Sequence, residues 1–345
     1  MGKWTMKQPN VARERLVGDL SAVIGGQSRA VLDRLPTAEL WYLASRADLQ
    51  KRYGDPQRGQ ILLEWEMSAV ERGERVLTEI ETCGFREWHS ASALDVGCGD
   101  GGFLIAMARR GAHAHGLDLC EFNAIGAALR AGAWEMPIAV AVGSAMSLPY
   151  RSASFDVVTC GDVIEHVVQP VGALREIGRV LRPGGMLWLG APTRYLAADL
   201  WRDPHYGFFG VSAMPRPWAA WYLARIRRVF PEPQHYAVEQ LPTYGATVAT
   251  LRRMGFEILG GEYRPLAALR NPNHVQSRWK KQTLAVLLAL GFRGPLSLFF
   301  RLAAELVWPI RLVCRKTYTL DNSTNAADNA RRLQILQSKE NTNVL

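Results

Sequence analysis

The stretch ALDVGCGDGG, residues 93–102, packs four glycines, two aspartates and a cysteine directly behind a short apolar run. Gly97, Gly99 and Gly102 satisfy G-x-G-x-x-G. The match gains weight from its setting. SALDVG (92–97) reads as a strand and Phe103–Arg110 as a helix, so the glycines sit where a strand turns into a helix. A backbone that bare turns tightly and lets its N–H groups approach a ligand. Asp118 ends the next predicted strand, AHAHGLDL (112–119), 21 residues after Gly97. An acid there accepts hydrogen bonds from both ribose hydroxyls of an adenosine-bearing ligand.

Asp95 selects among such ligands. A dinucleotide would bring its pyrophosphate against this carboxylate, and like charges repel. A ligand with an ammonium and a sulfonium suits an acid, which points to S-adenosylmethionine. A Rossmann oxidoreductase using NAD(P) therefore ranks behind the sulfonium reading.

Outward from the loop, strands and helices alternate. PIAVAVG (137–143), FDVVTCGD (155–162) and MLWLGAP (186–192) read as strands, Glu121–Ala133 and Gln169–Leu181 as helices. That rhythm predicts a mainly parallel sheet covered on both faces. Residues 11–88 read as helical, with ILLEWEMSAVERGERVLTEIE (61–81) amphipathic. After residue 193 the rhythm breaks. Residues 193–242 are rich in Pro, Trp, Tyr and Arg, with a helix expected in WAAWYLARIRRVF (218–230). Residues 243–266 read helix then strand, 267–310 largely helical and apolar, and RLVCRKTYTL (311–320) as a last strand.

Five motifs in register resemble the class I SAM-dependent methyltransferases, near the small-molecule type that includes the ubiquinone-biosynthesis O-methyltransferases. They are LDVGCGDGG (94–102), GLDL (116–119), GSAMSLPYRSASFDVV (143–158), DVIEHV (162–167) and LRPGG (181–185). The resemblance implies an α/β, Rossmann-like fold. Its sheet has seven mostly parallel strands with an antiparallel last strand, here joined by a helical cap and insertions. It implies that Gly97, Cys98, Gly99 and Gly101 line the methionine portion, with Asp95 beneath. Asp118 would hold the ribose, Leu119 would pack on the adenine, and Ser144 and Ala145 would lie at its edge. Cys160 and Gly161 would face the methionine amino group. Ser144 departs from the family, which often has an acid there.

For the chemistry, His166 in DVIEH and His205 in WRDPHYGFFG (201–210) are the candidate bases. Asp203 and Tyr206 would complete an acid/base cluster around His205. Asp162, Glu165 and His166 resemble the E-x-x-E-H that holds a divalent metal in the ubiquinone enzymes. Mg²⁺ is a weaker expectation than no metal. The (Asp/Asn)-Pro-Pro-aromatic motif of amino-methylating nucleic-acid enzymes is absent, so no nucleic-acid partner is expected.

Charge and composition add partners and place. Residues 193–345 hold 21 Lys and Arg against 10 Asp and Glu, and so carry the basic excess of a chain whose net charge is +9. Five cysteines without a C-x-x-C pair fit a reducing cytoplasm. Residues 283–313 are apolar but broken by Arg, Gly, Pro and Glu, too short a run to span a bilayer. Together with HVQSRWKK (274–281) and Arg225, Arg227 and Arg228, they predict a peripheral contact with anionic lipid at the inner membrane face. The expected organisation is a helical cap (1–90), a methyltransferase domain (91–320) and a polar tail (321–345). The domain would carry a substrate-covering insertion (193–242) and an apolar helical one (267–310). The expected activity is O-methylation of a small lipophilic or lipid-linked acceptor. The alternative is a non-catalytic SAM-binding assembly subunit.

Overall fold

The computed structural model describes residue 40 and residues 68–203, 205–229, 237–270 and 278–317. Most of the expected N-terminal cap, the polar tail and residues 274–277 of HVQSRWKK lie outside the described residues.

Seven strands form one sheet: β1 (Ser92–Val96), β2 (His113–Asp118), β3 (Ile138–Val142), β4 (Phe155–Gly161), β5 (Leu181–Ala191), β6 (Phe256–Gly260) and β7 (Ile310–Lys316), in the order β3-β2-β1-β4-β5-β7-β6. The first five pair in parallel. β7 inserts antiparallel between β5 and β6. The central strands β1, β4 and β5 are buried on both faces, as continuous apolar runs require. β3, at the edge, is only half-buried. Strand order reverses between β1 and β4, so the carboxyl ends of these two strands flank the crevice where open α/β sheets bind ligands.

One face is covered by α1 (Ala69–Thr82) and α2 (Gly102–Arg109), with α3 (Glu121–Ala133) beside them. Trp188 on β5 sends its indole N–H to Glu79 of α1 at 2.9 Å. A Cβ on Gly102 would lie 2.4 Å from the Ala69 methyl, so α1 and α2 are in close contact. α1 is therefore part of the sheet's own covering. The opposite face carries α4 (Pro170–Val180) and α7 (Tyr244–Arg253), packed on Leu94, Val158, Leu187 and Leu312. Lys316, buried at the end of β7, donates to the carbonyls of Gly178 and Leu181 at 2.7 Å each, where α4 runs out of intrahelical partners.

The expected helix over 218–230 is shorter and irregular. α5 (Ala197–Trp201) and α6 (Arg216–Trp221) are single turns, and α6 runs into a π-helical turn over Tyr222–Ile226. Arg228, at φ +52°, ends it, and the Arg227 guanidinium lies 4.0 Å above the Phe208 ring. The apolar insertion folds as α8 (Arg264–Arg270), α9 (Arg278–Ala289) and α10 (Arg293–Val307), which feeds β7. Among the described residues no helix is long and apolar enough to cross a membrane.

Candidate active site

The loop 97–101 leaves β1 at the carboxyl edge of the sheet. Gly97 (φ +73°) has no room for a side chain, since a Cβ would stand 2.2 Å from the Val163 side chain. That contact presses the loop against the segment after β4. Gly99 (φ +50°) faces open space, with no atom within 4 Å of where its Cβ would be. This glycine offers bare backbone to a ligand. Gly101 serves packing: its Cβ would come within 2.8 Å of Ala127 on α3.

Three carboxylates surround this loop. Asp95 is buried in β1 and accepts from Thr159 Oγ1 at 2.6 Å. The two residues are register partners on neighbouring strands, so the contact follows from β1 lying beside β4. Burial raises the Asp95 pKa to about 7, against the Thr159 hydrogen bond, which lowers it; the nearby Asp118 and Asp100 carboxylates push it up further. Asp100 accepts from Gly102 N–H and is paired with Arg130 of α3, both buried. Asp118 accepts from Gly99 N–H at 2.9 Å, Cys120 N–H at 2.8 Å and Asn123 Nδ2 at 3.2 Å. A carboxylate offers about four acceptor sites. Asp118 thus shapes the glycine loop and still has acceptor capacity for a ligand.

Past Asp118 the surface turns apolar. Leu119 is 75% exposed, with Val142, the register partner of Asp118, and Met146 also exposed beside the β2 and β3 ends. A flat apolar ring would cover them. Ser144 accepts from Met146 N–H at 3.2 Å and retains its own proton to donate. Three of the expected contacts, at Cys98, Cys160 and Ala145, are limited to the main chain. The Cys98 side chain turns inward against Gly116, and Cys160 and Ala145 lie in the core. Their side chains fill space between sheet and helices, which leaves only their main chain for a ligand. Gly161 has Trp188 and Phe103 next to where its Cβ would be.

The residues present fit S-adenosylmethionine. Asp95, whose pKa burial raises to about 7, has two more carboxylates around it and gains from a ligand bearing two positive charges. A pyrophosphate would meet the same three acids as repulsion, which sets the NAD(P) alternative aside. A cation beside Asp95 favours its ionised form. Affinity for S-adenosylmethionine is therefore expected to rise with pH up to about 7, by at most about tenfold per pH unit, and to level off above. Calorimetry in buffers of different ionisation enthalpy should register a proton released on binding below pH 7. Asp95→Asn should bind more weakly and lose the slope; an unchanged slope would exclude Asp95 as its source.

Beyond β4, the segment 162–166 gathers titratable side chains. Glu165 is fully buried, and among the described residues neither carboxylate oxygen has a hydrogen-bond partner. Burial, then the charge of Asp162, raises its pKa to about 8. Its backbone carbonyl accepts from Glu239 N–H and Gln240 N–H, which ties the end of the 193–242 insertion to this segment. His166 Nδ1 lies 3.0 Å from the Ala237 carbonyl, which can only accept, so Nδ1 carries the proton. In the neutral ring Nε2 is then the basic atom, 3.9 Å from Glu165 Oε1. His205 comes from the insertion to place its ring 5.2 Å from that of His166, edge to face. Nitrogen and oxygen atoms of Glu165, His166 and His205 lie within 4.8 Å of one another.

This convergence revises two expectations. Asp203 is a turn former, whose Oδ1 accepts from the backbone N–H of His205 at 3.0 Å and of Tyr206 at 2.7 Å. It thereby presents His205, while Tyr206 accepts from Ala237 N–H through its hydroxyl. Asp162 is not in the group that the D-x-x-E-H spacing brought to mind; His205 takes its place. One carboxylate and two imidazoles are not the oxygen-rich set that Mg²⁺ prefers, so these residues do not fit that ion. Sequence reasoning also missed Thr159, Arg130 and Asn123, which position the three acids. Only the β1–β4 register and the place of α3 disclose them.

Residues 94–189 match the family model described as a methyltransferase domain. Over these residues the chain carries a methyltransferase domain. Its motifs align with a ubiquinone biosynthesis O-methyltransferase of Aeromonas salmonicida, at 36% identity over 29% of this chain and 43% of the relative. A Pseudomonas paraeruginosa protein of the same name is 38% identical over 31% of this chain and 48% of the relative. The chain thus spans less than half the length of these curated relatives. A solved structure titled as the [4+2]-cyclase SpnF overlaps 73% of this chain and 83% of its own, at 22% identity and a TM-score of 0.45. In this methyltransferase domain the matched region ends inside β5, so His205 and the apolar helices lie outside it.

Proposed function

We propose that the chain transfers a methyl group from S-adenosylmethionine to a hydroxyl of a small lipophilic acceptor. The observation that carries this reading is the meeting of Glu165, His166 and His205 beside the glycine loop. Val163, three residues before His166, is the residue that touches Gly97. S-adenosylmethionine, when bound, supplies a methyl group activated by its sulfonium. The chain's own part is to place the acceptor and take its proton. His166 Nε2 accepts the hydroxyl proton, with the tautomer held by Ala237 and the ring braced by His205. Glu165, once ionised, stabilises the imidazolium that results. A buried carboxylate facing a second ring is an arrangement a non-catalytic SAM-binding subunit has no use for.

The lipophilic acceptor rests on the apolar and aromatic lining of the insertion. Met214, Pro215, Trp218, Trp221 and Tyr222 line an open apolar pocket of about 380 Å³. Peripheral contact with an anionic membrane would supply such an acceptor. The test is calorimetry with S-adenosylmethionine, S-adenosylhomocysteine and NAD, with and without Mg²⁺, followed by transfer of labelled methyl to lipid extracts. Binding of the two sulfur ligands but not NAD, with Mg²⁺ indifferent, is the expected result. Binding of NAD alone would refute the reading, and binding without turnover on any extract would favour the subunit alternative.

A further inference from the structure

α10 is an inside-out helix. Its two interior charges, Arg301 and Glu305, stand four residues apart, a spacing that puts both on one narrow face. Glu305 turns toward the protein body, accepting from Tyr244 N–H at 2.9 Å and Gly245 N–H at 2.7 Å. These are orphan donors at the start of α7, and a carboxylate there also faces the positive end of the helix dipole. Gly245 permits the approach, since a Cβ on it would come within 2.9 Å of Glu305 Oε1. Ala304 is in the core, and Phe300 meets the Tyr263 ring at 6.5 Å. With Glu305 turned away, the outward face holds a stripe of Leu298, Phe299, Leu302 and Leu306, each between 46% and 63% exposed, beside the exposed Arg301. Val286, Leu290 and Phe292 extend it across α9 and the turn that follows.

Beside the stripe lies a cleft of about 620 Å³ with an apolar wall of Val248, Leu266 and Leu269. Its polar lining is Arg252, Arg293, Arg301 and Glu262. Glu262 is taken by Arg252 at 2.8 Å, and Arg293 is held by the Leu269 carbonyl at 3.0 Å. Among the described residues Arg301 meets no carboxylate, because Glu305, one turn on, is spent on α7. The cleft is thus a cationic hole next to a greasy ridge. α5 packs on α10 and brings Trp201, whose ring pairs with that of Phe209 at 5.8 Å; both are largely exposed. Aromatic side chains of this kind suit the headgroup layer.

We infer that α9 and α10 form a docking surface for an anionic bilayer, with the α10 stripe entering the acyl region and the Arg293–Arg301 cleft receiving a lipid phosphate. Charge decides between a bilayer and a second copy of the chain. A two-fold dimer through this stripe would bring the same arginines toward one another, whereas an anionic leaflet neutralises them. The surface also lies at the working end of the sheet. α10 leads into Ile310, which pairs with Ala191 at the carboxyl end of β5. An acceptor dissolved in the leaflet would then reach the histidines from the side. This last step rests on the function proposed above; the docking itself does not.

Flotation of the full chain with extruded vesicles tests the inference. Vesicles of phosphatidylcholine alone are compared with vesicles containing phosphatidylglycerol. Binding at least tenfold tighter to the anionic vesicles is expected. Leu298→Ser with Leu302→Ser, both on the surface, should weaken binding tenfold or more. Arg301→Gln, alone and with Arg293→Gln, should erase the anionic preference while leaving residual binding. No flotation, or equal flotation with both vesicles, would overturn the inference. So would tight binding of inorganic phosphate without vesicle binding, or a dimer in light scattering that the serine variants disperse. S-adenosylmethionine affinity is measured on the same preparations. A chain that binds the cofactor and ignores vesicles removes the docking surface and leaves the proposed function. A chain that floats without binding cofactor does the reverse.

Discussion

Replacing Asp118 by alanine is expected to raise the dissociation constant for S-adenosylmethionine at least about 100-fold. The carboxylate has two tasks. It accepts from Gly99 N–H, so it holds the one glycine of the loop that faces open space, and from Cys120 N–H, so it sets the exit of β2. It also keeps acceptor capacity for the ribose. A hydrogen bond to a charged group is worth about 1.5–3 kcal/mol. Loss of the ribose contact together with release of the loop therefore exceeds the roughly 2.8 kcal/mol that 100-fold represents. Calorimetry reads the affinity, and circular dichroism checks that the sheet persists. Asn123→Ala is the control: it removes a donor to the same carboxylate and frees further acceptor capacity, so affinity should hold or improve. If Asp118→Ala binds like the wild type, the ribose is held elsewhere and the reading of the 97–101 loop is wrong.

His166→Ala is expected to lower kcat by roughly 10²–10⁴, the usual worth of a general base, with S-adenosylmethionine affinity little changed. His205→Ala should cost less, because its ring braces His166 and does not carry the proton. The pH profile separates a base from a residue that only shapes the pocket. The Glu165 pKa is raised to about 8 by burial and then by Asp162. A raised acid is neutral below that pH and ionised above it, and only the ionised form stabilises a neighbouring imidazolium. Turnover should therefore climb through about pH 8. Glu165→Gln should flatten that limb while retaining the packing. Wild-type turnover in His166→Ala would make the histidine a wall of the pocket and nothing more.

The glycine loop and the strand–helix alternation were legible in the sequence, because each is written locally; the antiparallel closing strand was implied by the family resemblance. A strand declares itself by its apolar run, a turn by its glycines, and an acid 21 residues on by the fixed length of a β-α-β unit. The same logic reached Asp95 and Asp118, whose places at the ends of β1 and β2 follow from the strand boundaries.

Direction was less legible than position. Cys98, Cys160 and Ala145 occupy the expected places, but their side chains point into the core. In the 193–242 insertion no period applies, so Asp203 could not be told from a catalytic acid until its carboxylate was found on the N–H groups of the turn.

The residues alone set the alternating strands and helices and the glycine turn at the end of β1, because strand patterning and turn chemistry are properties of neighbours in sequence. The meeting of His205 with His166 across 39 residues, the Thr159 hydroxyl on Asp95, and the inward turn of Glu305 on α10 belong to the assembled fold. Each depends on strand register or on the rotation of a helix about its own axis, and packing against the rest of the molecule sets both.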